Sequence, residues 1–409
     1  MKILIYSIFF SPELIGIGKF TGEMATWLAG QGHSIKVITT PPYYPNWRVF
    51  PSYKRFWYQK EKVSINLSVL RCPIWVPRRP TGLKRILYLL SFAVSSFFPV
   101  IWQGLKSYDS VIVIEPPLFC APAALIMARL TKAKAILHVQ DFEVDAAFHL
   151  GLLHSNRLKK IITEFESRIM QRFNIVSTIS PNMLRRLIQR NVNRKKCVLF
   201  PNWVDTQAIY PLEHKSQFRT TWKLPHDKIV LLYSGNIGAK QGLEYMIEAA
   251  RLLLPYQRII FVICGTGAMF PQLRKVSEGV GNIVWHNLQP MDKLNELLNL
   301  ADIHLLIQRA DAADLVMPSK LTGMLASGKP IIATSMPGTQ VAEVVQNNGI
   351  VVPPESTNAL VEAIKNLVDN PEKRVEYGRN ARHYALLHLK KDAILTTFKN
   401  QVLLKEPLK

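Results

Sequence analysis

Three short stretches combine small residues, hydroxyls and single charges at spacings suited to anion binding, and a fourth suits proton transfer. Met317-Pro318-Ser319-Lys320-Leu321 leads into a helical pattern over Ser319–Ala326. Ser319 and Lys320 would then stand at a helix N-terminus, where free N–H groups and the helix dipole favour negative charge. Asp311 and Asp314 lie in the loop before it, where a solvated acidic loop would look the same. Ser234-Gly235-Asn236-Ile237-Gly238-Ala239-Lys240-Gln241-Gly242 follows an apolar run and opens another helix. Small residues with one lysine at such a turn suit a diphosphate. The spacing is not that of a Walker loop, which argues against an NTPase.

Gly16-Ile17-Gly18-Lys19 sits between a first strand and a first helix. Its glycines would let backbone N–H groups approach a phosphate, and a plain tight turn would use the same residues. The run is not a full GxGxxG, which disfavours a nicotinamide dehydrogenase. His138-Val139-Gln140-Asp141 ends a predicted strand, with Glu143 and Asp145 just beyond. Ligands of open α/β sheets gather at that edge. A carboxylate there can orient or deprotonate a hydroxyl, although Asp141 could equally cap the next helix. His138 alternates inward and reads as a packed strand residue.

These stretches recur at the ends of apolar runs, so an α/β architecture must position them. Ile3–Ser7, a helix from about Gly18 to Gln31, and Ile35–Thr39 form a βαβ unit. Val111–Ile114, Ala135–Val139, Ile175–Ile179 and Val198–Phe200 continue the series, with the helical Ala121–Leu130 between the first two. Ile229–Tyr233, Ile259–Ile263, Asn282–Trp285, Ile303–Ile307, Pro330–Thr334 and Gly349–Val352 form a second series. Its intervening helices include Leu243–Leu253, Met291–Leu300 and Ser356–Asp369. Unbroken apolar runs predict strands covered on both faces, as in parallel sheets. Pro41–Pro80, rich in Pro, Tyr, Trp and Arg, reads as an irregular functional insert. The helix-like tail Lys373–Lys409 follows the last strand.

A chain of 409 residues with 48% hydrophobic and 20% charged residues predicts two globular domains. Its four cysteines are scattered without a CxxC pair, which argues against a zinc site or a disulfide framework and fits a reducing, cytoplasmic compartment. The N-terminus reads as a buried strand and not as a signal peptide. The net charge of +22 is uneven. Residues 1–200 hold 28 Lys and Arg against 10 Asp and Glu, and the remainder 23 against 19. The first half therefore suits an anionic partner, either a membrane or a nucleic acid. Ile86–Trp102 is apolar or small throughout, contains Pro99, and follows Arg78, Arg79, Lys84 and Arg85. It reads as a helix that is buried or lies at a membrane interface.

The order of the pieces resembles family 4 glycosyltransferases along essentially the whole chain. Gly16 takes the place of the second glycine of that family's N-terminal loop. Pro201-Asn202-Trp203-Val204-Asp205 is similar to its PNGVD element, Cys264-Gly265-Thr266-Gly267 to its GxG turn, and Leu325–Ala333 to its AxGxPxxA element. A closer likeness rests on Ser11-Pro12-Glu13, Pro41-Pro42-Tyr43-Tyr44-Pro45, Arg71-Cys72-Pro73 and Pro318-Ser319-Lys320-Leu321-Thr322. It points to members that build exopolysaccharide repeats on a polyprenyl diphosphate carrier, to which a fucosyltransferase role is attached.

The resemblance implies a GT-B fold, with two Rossmann-like domains facing across a cleft and a C-terminal helix packing back on the first. The expected boundaries are 1–204, 205–385 and 386–409. It implies retaining transfer from a UDP- or GDP-sugar, GDP-fucose among them, to a lipid-linked saccharide at the inner face of the plasma membrane. The expected catalytic residues are Asp141, Lys240 and Lys320. The expected donor-binding residues are Gly16, Gly18, Ser234, Gly235, Asn236, Gly265, Gly267, Pro318, Ser319 and Leu321. No metal, cofactor or nucleic acid is expected. Two departures stand out. The family's paired donor-side glutamates would fall at Leu315 and Gly323, and its phosphate-binding lysine at Gln241, one residue after Lys240. Loss of both glutamates leaves room for a non-catalytic sugar-nucleotide-binding partner of a polysaccharide assembly.

Overall fold

The computed structural model describes residues 1–13, 16–44, 47–78, 83–142, 156–310 and 318–404, with the backbone alone described for 156–159. By internal contacts the chain divides into two compact units, Met1–Pro201 with Leu395–Lys409, and Asn202–Ile394. The sequence put these divisions after Val204 and before 386.

The first unit runs β1 (Lys2–Tyr6), α1 (Ile17–Gly30), β2 (Ser34–Thr39), β3 (Gln59–Lys62), β4 (Leu67–Arg71), α2 (Leu83–Gln103), β5 (Ser110–Glu115), α3 (Ala121–Thr131), β6 (Lys134–Val139), α4 (Asn156–Met170), β7 (Ile175–Thr178), α5 (Pro181–Gln189) and β8 (Cys197–Leu199). Its sheet has the order β3-β4-β2-β1-β5-β6-β7-β8. All pairs are parallel except β3 against β4. Strands β5, β6 and β7 are buried along their whole length, as unbroken apolar runs require of a sheet with helices on both faces.

The insert is more ordered than its composition implies. Pro41–Pro80, expected to be irregular, contains β3 and β4, and β4 pairs in register with β2 from Ile35↔Leu67 to Thr39↔Arg71. The pin is Arg71, whose side chain is 2% exposed. Its Nε and Nη2 donate to the Glu61 carboxylate on β3, at 2.6 and 3.1 Å. Its other N–H groups donate to Thr40 O at 2.8 Å and Ser11 O at 2.7 Å. A buried guanidinium is tolerated only when its charge is paired and its donors are used. Here that requirement ties four chain segments together.

The second unit runs α6 (Phe218–Thr221), β9 (Ile229–Asn236), α7 (Leu243–Leu252), β10 (Ile259–Thr266), α8 (Phe270–Val276), β11 (Ile283–His286), α9 (Leu294–Leu300), β12 (Ile303–Leu306), α10 (Ser319–Ala326), β13 (Ile331–Thr334), α11 (Gln340–Val345), β14 (Gly349–Val352), α12 (Thr357–Asp369), α13 (Pro371–His388) and α14 (Lys391–Phe398). The parallel sheet has the order β11-β10-β9-β12-β13-β14. The strand order reverses between β9 and β12, which is where an open α/β sheet offers a crevice to ligands.

The last part of α14 and the turn that follows belong to the first unit. Phe398 stacks on Phe200 with ring centroids 3.9 Å apart, and the buried Lys134 ammonium donates to Val402 O at 2.7 Å. The sequence pattern over Lys373–Lys409 thus resolves into two helices and a tail. Where the chain leaves the second unit, Val204 pairs with Lys390 through Val204 N–Leu389 O at 2.8 Å and Lys391 N–Val204 O at 3.1 Å.

Candidate functional site

In the second unit the expected donor residues come together from three elements. β9 ends in Ser234-Gly235-Asn236, and Gly235 holds φ 130°, a conformation that a side chain would strain. β10 runs alongside it, pairing Gly265 with Gly235 and Thr266 with Asn236. A Cβ at Gly265 would meet Gly235 O at 1.9 Å, and one at Gly267 would meet Ile237 O at 2.3 Å. These two glycines therefore let the two turns press together.

α10 supplies the cation. Pro318 stands at its N-cap position, and its first N–H groups, those of Ser319 and Lys320, precede any intrahelical bond. The Lys320 side chain crosses to the β9 turn. Its Nζ lies 4.2 Å from the centroid of the Tyr233 ring, and its Cδ is 3.7 Å from the point where Gly235 would carry a Cβ. The residue keeps some solvent contact, but protein crowds the ammonium, and burial pulls its pKa down to about 7. Among the described residues no carboxylate contacts it. A desolvated cation over an aromatic ring, at the end of a helix and beside a glycine turn, fits a diphosphate.

The remaining expected residues divide. Lys240 is exposed in the short turn Ala239–Gln241, and its carbonyl accepts the N–H of Arg309 at 3.0 Å. Arg309, which the sequence reading passed over, pairs with Glu244 at the start of α7. Only the adjacency of the segments after β9 and β12 reveals it. Leu321 is a correction. Its side chain is buried in the core and its N–H donates to Pro318 O at 3.0 Å, so neither is available to a ligand. Met317, Asp311, Asp314 and Leu315 lie outside the described residues. A Cβ at Gly323 would meet Leu298 Cδ1 at 3.2 Å, so α10 packs on α9 where the wider family has a glutamate. Gln241 turns back on its own loop, its Oε1 accepting the N–H of Gly238 at 2.9 Å.

In the first unit Gly16, Gly18 and Asp141 all follow carboxyl ends of strands. Gly16 is the N-cap of α1 with φ 65°, and a Cβ at Gly18 would meet Glu13 Cβ at 2.9 Å. Glu13 is the second residue that sequence reasoning missed, having read it only as part of a motif. It is 2% exposed. Its Oε1 accepts the N–H groups of Tyr43 and Tyr44 at 2.9 and 3.0 Å, and its Oε2 has no partner among the described residues. Burial raises its pKa to about 7 against the pull of those N–H groups and of Arg71. It joins the Gly16–Gly18 turn to the aromatic insert, where Tyr43 and Tyr44 pack around Trp47 and Phe9. Asp141 follows β6 and is half-buried, while Glu143 and Asp145 lie outside the described residues. His138 is packed as expected. Its Nδ1 is 3.0 Å from Ser177 Oγ, Gln140 donates to its Nε2 at 2.9 Å, and burial lowers its pKa to about 3, which keeps it neutral.

Two α/β units, with paired glycine turns and a helix-borne cation at one sheet's reversal point, define a two-unit Rossmann-like protein with a candidate anion site. The comparisons sharpen this. Residues 16–203 match the glycosyl transferase 4-like domain, and residues 214–384 match glycosyl transferases group 1. The chain is 41% identical over 98% of its length to the whole of the putative colanic acid biosynthesis glycosyl transferase WcaI of Escherichia coli K12. Its fold is similar to sucrose-phosphate synthase from Thermosynechococcus elongatus, with a TM-score of 0.76, 16% identity and 98% of both chains covered. It is also similar to Anabaena Alr3699/HepE solved with UDP, with a TM-score of 0.71, 13% identity, and 98% of this chain and 99% of that one covered. The chain belongs to the group 1 and 4-like glycosyltransferases and has the GT-B fold.

Proposed function

We propose that this glycosyltransferase moves a sugar from a UDP- or GDP-linked donor to a polyprenyl-diphosphate-linked acceptor in exopolysaccharide assembly of the colanic acid type, with retention. The observation that carries the reading is the Lys320 ammonium, held over Tyr233 beside the Gly235 turn with no carboxylate partner among the described residues. Similarity over the full length to the putative colanic acid transferase supports the pathway class. The acceptor hydroxyl attacks the anomeric carbon as its bond to the diphosphate breaks, and a leaving phosphate oxygen takes the hydroxyl proton. Lys320, Lys240 and the N–H groups of Ser319 and Lys320 stabilise the charge growing on the diphosphate. Asp141 orients sugar or acceptor hydroxyls. No metal or further cofactor enters this scheme.

The first unit works at the inner face of the plasma membrane in this reading. Its excess of Lys and Arg suits anionic headgroups. α2 is long and apolar enough to cross a membrane by length and composition, yet it packs one face on the sheet through Tyr88, Leu89, Phe92, Ser96 and Val100. Its other face leaves Leu87, Val94, Phe98 and Trp102 in solvent, as an interfacial helix would. The test is a thermal-shift screen of nucleotide sugars. It is followed by product analysis with a lipid diphosphate acceptor, the new linkage being assigned by NMR. A donor that shifts melting without being consumed indicates a binding module, and an inverted anomer removes retention.

A further inference from the structure

We propose that a cavity under the C-terminal half of α2 is a binding site for the headgroup of an anionic phospholipid, with Lys36, Lys60 and Lys106 holding its phosphate and Phe98 and Trp102 meeting its chains. The inference rests on the membrane-surface reading above and deepens it.

The strand registers build one wall. Lys2 lies opposite Ser34, Lys36 opposite Ser68, and Leu70 opposite Lys60, so all six project from one face of β1, β2, β4 and β3. The carboxyl-terminal turn of α2 and Lys106 form the other wall, and Tyr58 closes the side by donating from its hydroxyl to Ser95 O at 2.6 Å. The space between them, open to solvent on one side, is about 670 Å³. Among the described residues four lysines line it, and no Asp or Glu does. The nearby carboxylates are engaged elsewhere: Asp109 accepts the backbone N–H of Lys2 at 2.6 Å, and Glu61 pairs with Arg71. Lys2 Nζ lies over the Tyr108 ring at 5.0 Å.

Such a group of cations is unfavourable alone. Burial, and then repulsion from Lys106 and Lys60, holds the Lys36 ammonium below its ordinary pKa. A phosphate would relieve that repulsion. A free anion would leave the surroundings unexplained, because Phe98 and Trp102, which line the cavity, are 78% and 66% exposed. An anionic headgroup with apolar chains satisfies both parts, since Trp and Tyr favour the membrane interface and lysines favour anionic lipid. The site is remote from the sugar-transfer residues. It lies toward Lys2, whereas Gly16 follows the Tyr6 end of β1, four residues or roughly 13 Å along the strand.

The test is sedimentation with vesicles of phosphatidylcholine alone and of phosphatidylcholine containing one third phosphatidylglycerol. The full chain should prefer the anionic vesicles, and the triple variant K36A/K60A/K106A should lose about a hundredfold in that affinity, at about 1 kcal/mol per lysine. A charge-matched control, R172A/R194A/K195A on exposed positions of the same unit, should lose less than threefold. Equal loss in the control makes net charge the cause and overturns the site. If the triple variant misfolds, as its melting curve would show, the single exposed-strand variant Lys60→Glu replaces it. Dihexanoyl-phosphatidylglycerol should raise the melting temperature of the full chain at concentrations where inorganic phosphate does not. An equal shift with phosphate makes this a free-anion site and overturns the lipid assignment. Indifference of the unaltered chain to anionic lipid defeats the membrane reading itself, whereas a preference that survives in the triple variant defeats only this site.

Discussion

The carboxyl edges of the two sheets are held in opposite ways. In the first unit buried charges do the fixing: Arg71 is spent on Glu61, Thr40 and Ser11, and Glu13 on the N–H groups of Tyr43 and Tyr44. In the second unit glycine backbones fix the edge by direct approach, and the desolvated cation there, Lys320, lies over an aromatic ring with no carboxylate partner among the described residues. A buried charge held in place by several partners is committed to structure. A buried charge lacking a counter-ion is available to a ligand, at some expense in stability.

The sharpest way to break this comparison is to remove one charge from each side. Arg71→Ala should lose about 3–5 kcal/mol of stability in denaturant titrations, because it strands Glu61 and two carbonyls. Lys320→Ala should lose none, and should instead lower kcat/KM about 10²–10³-fold. Loss of stability in Lys320→Ala with donor affinity intact would show that lysine to be structural. Gly265→Ala ranks next. Its methyl would overlap Gly235 O, so the β9 turn must shift, costing about 1–3 kcal/mol by melting and weakening donor binding together.

Two pH effects follow, and they are smaller. Lys320 must be protonated to hold a diphosphate, and its pKa in the free protein is about 7. Donor affinity should therefore fall as pH rises above 7, by up to about tenfold per pH unit until the bound-state pKa is passed. Titration calorimetry across pH 6–9 reads this, and Lys320→Arg should flatten it. Glu13 is shifted the other way, upward, and its effect is on stability. Its folded pKa, about 7, stands above the unfolded value, so its contribution to stability is complete below about pH 4.5 and is lost as pH rises through 7. Glu13→Gln removes that loss, so its melting temperature relative to the unaltered chain should be a few degrees higher at pH 8 than at pH 5.

Most of the strands and α10 were legible because each is an unbroken apolar run or a helix with a clear stop, and such signals are local. The insert was not. β3 reads Gln-Lys-Glu-Lys, an edge strand with no apolar face, and its pairing depends on Arg71 reaching Glu61 across the turn. Gly265 and Gly267 were visible as a turn, but not that their missing side chains admit the neighbouring strand. Glu13 and Arg309 escaped because their roles come from partners about 30 and 65 residues away in sequence. The Ser319–Lys320 end of α10 was read from its sequence, but the crossing of Lys320 to Tyr233 follows from β9 and β12 being neighbours.

The tail that covers Phe200 and Lys134 has a consequence for synthesis. The ribosome delivers strands β1 to β8 long before residues 395–404 emerge, and the whole of the second unit is made in between. At about 5–20 residues per second the nascent first unit waits on the order of 10–40 s with the Phe200 face open. Its completion therefore waits on residues 395–404, and a frameshift or stop codon before them would damage the end of the molecule that is made first.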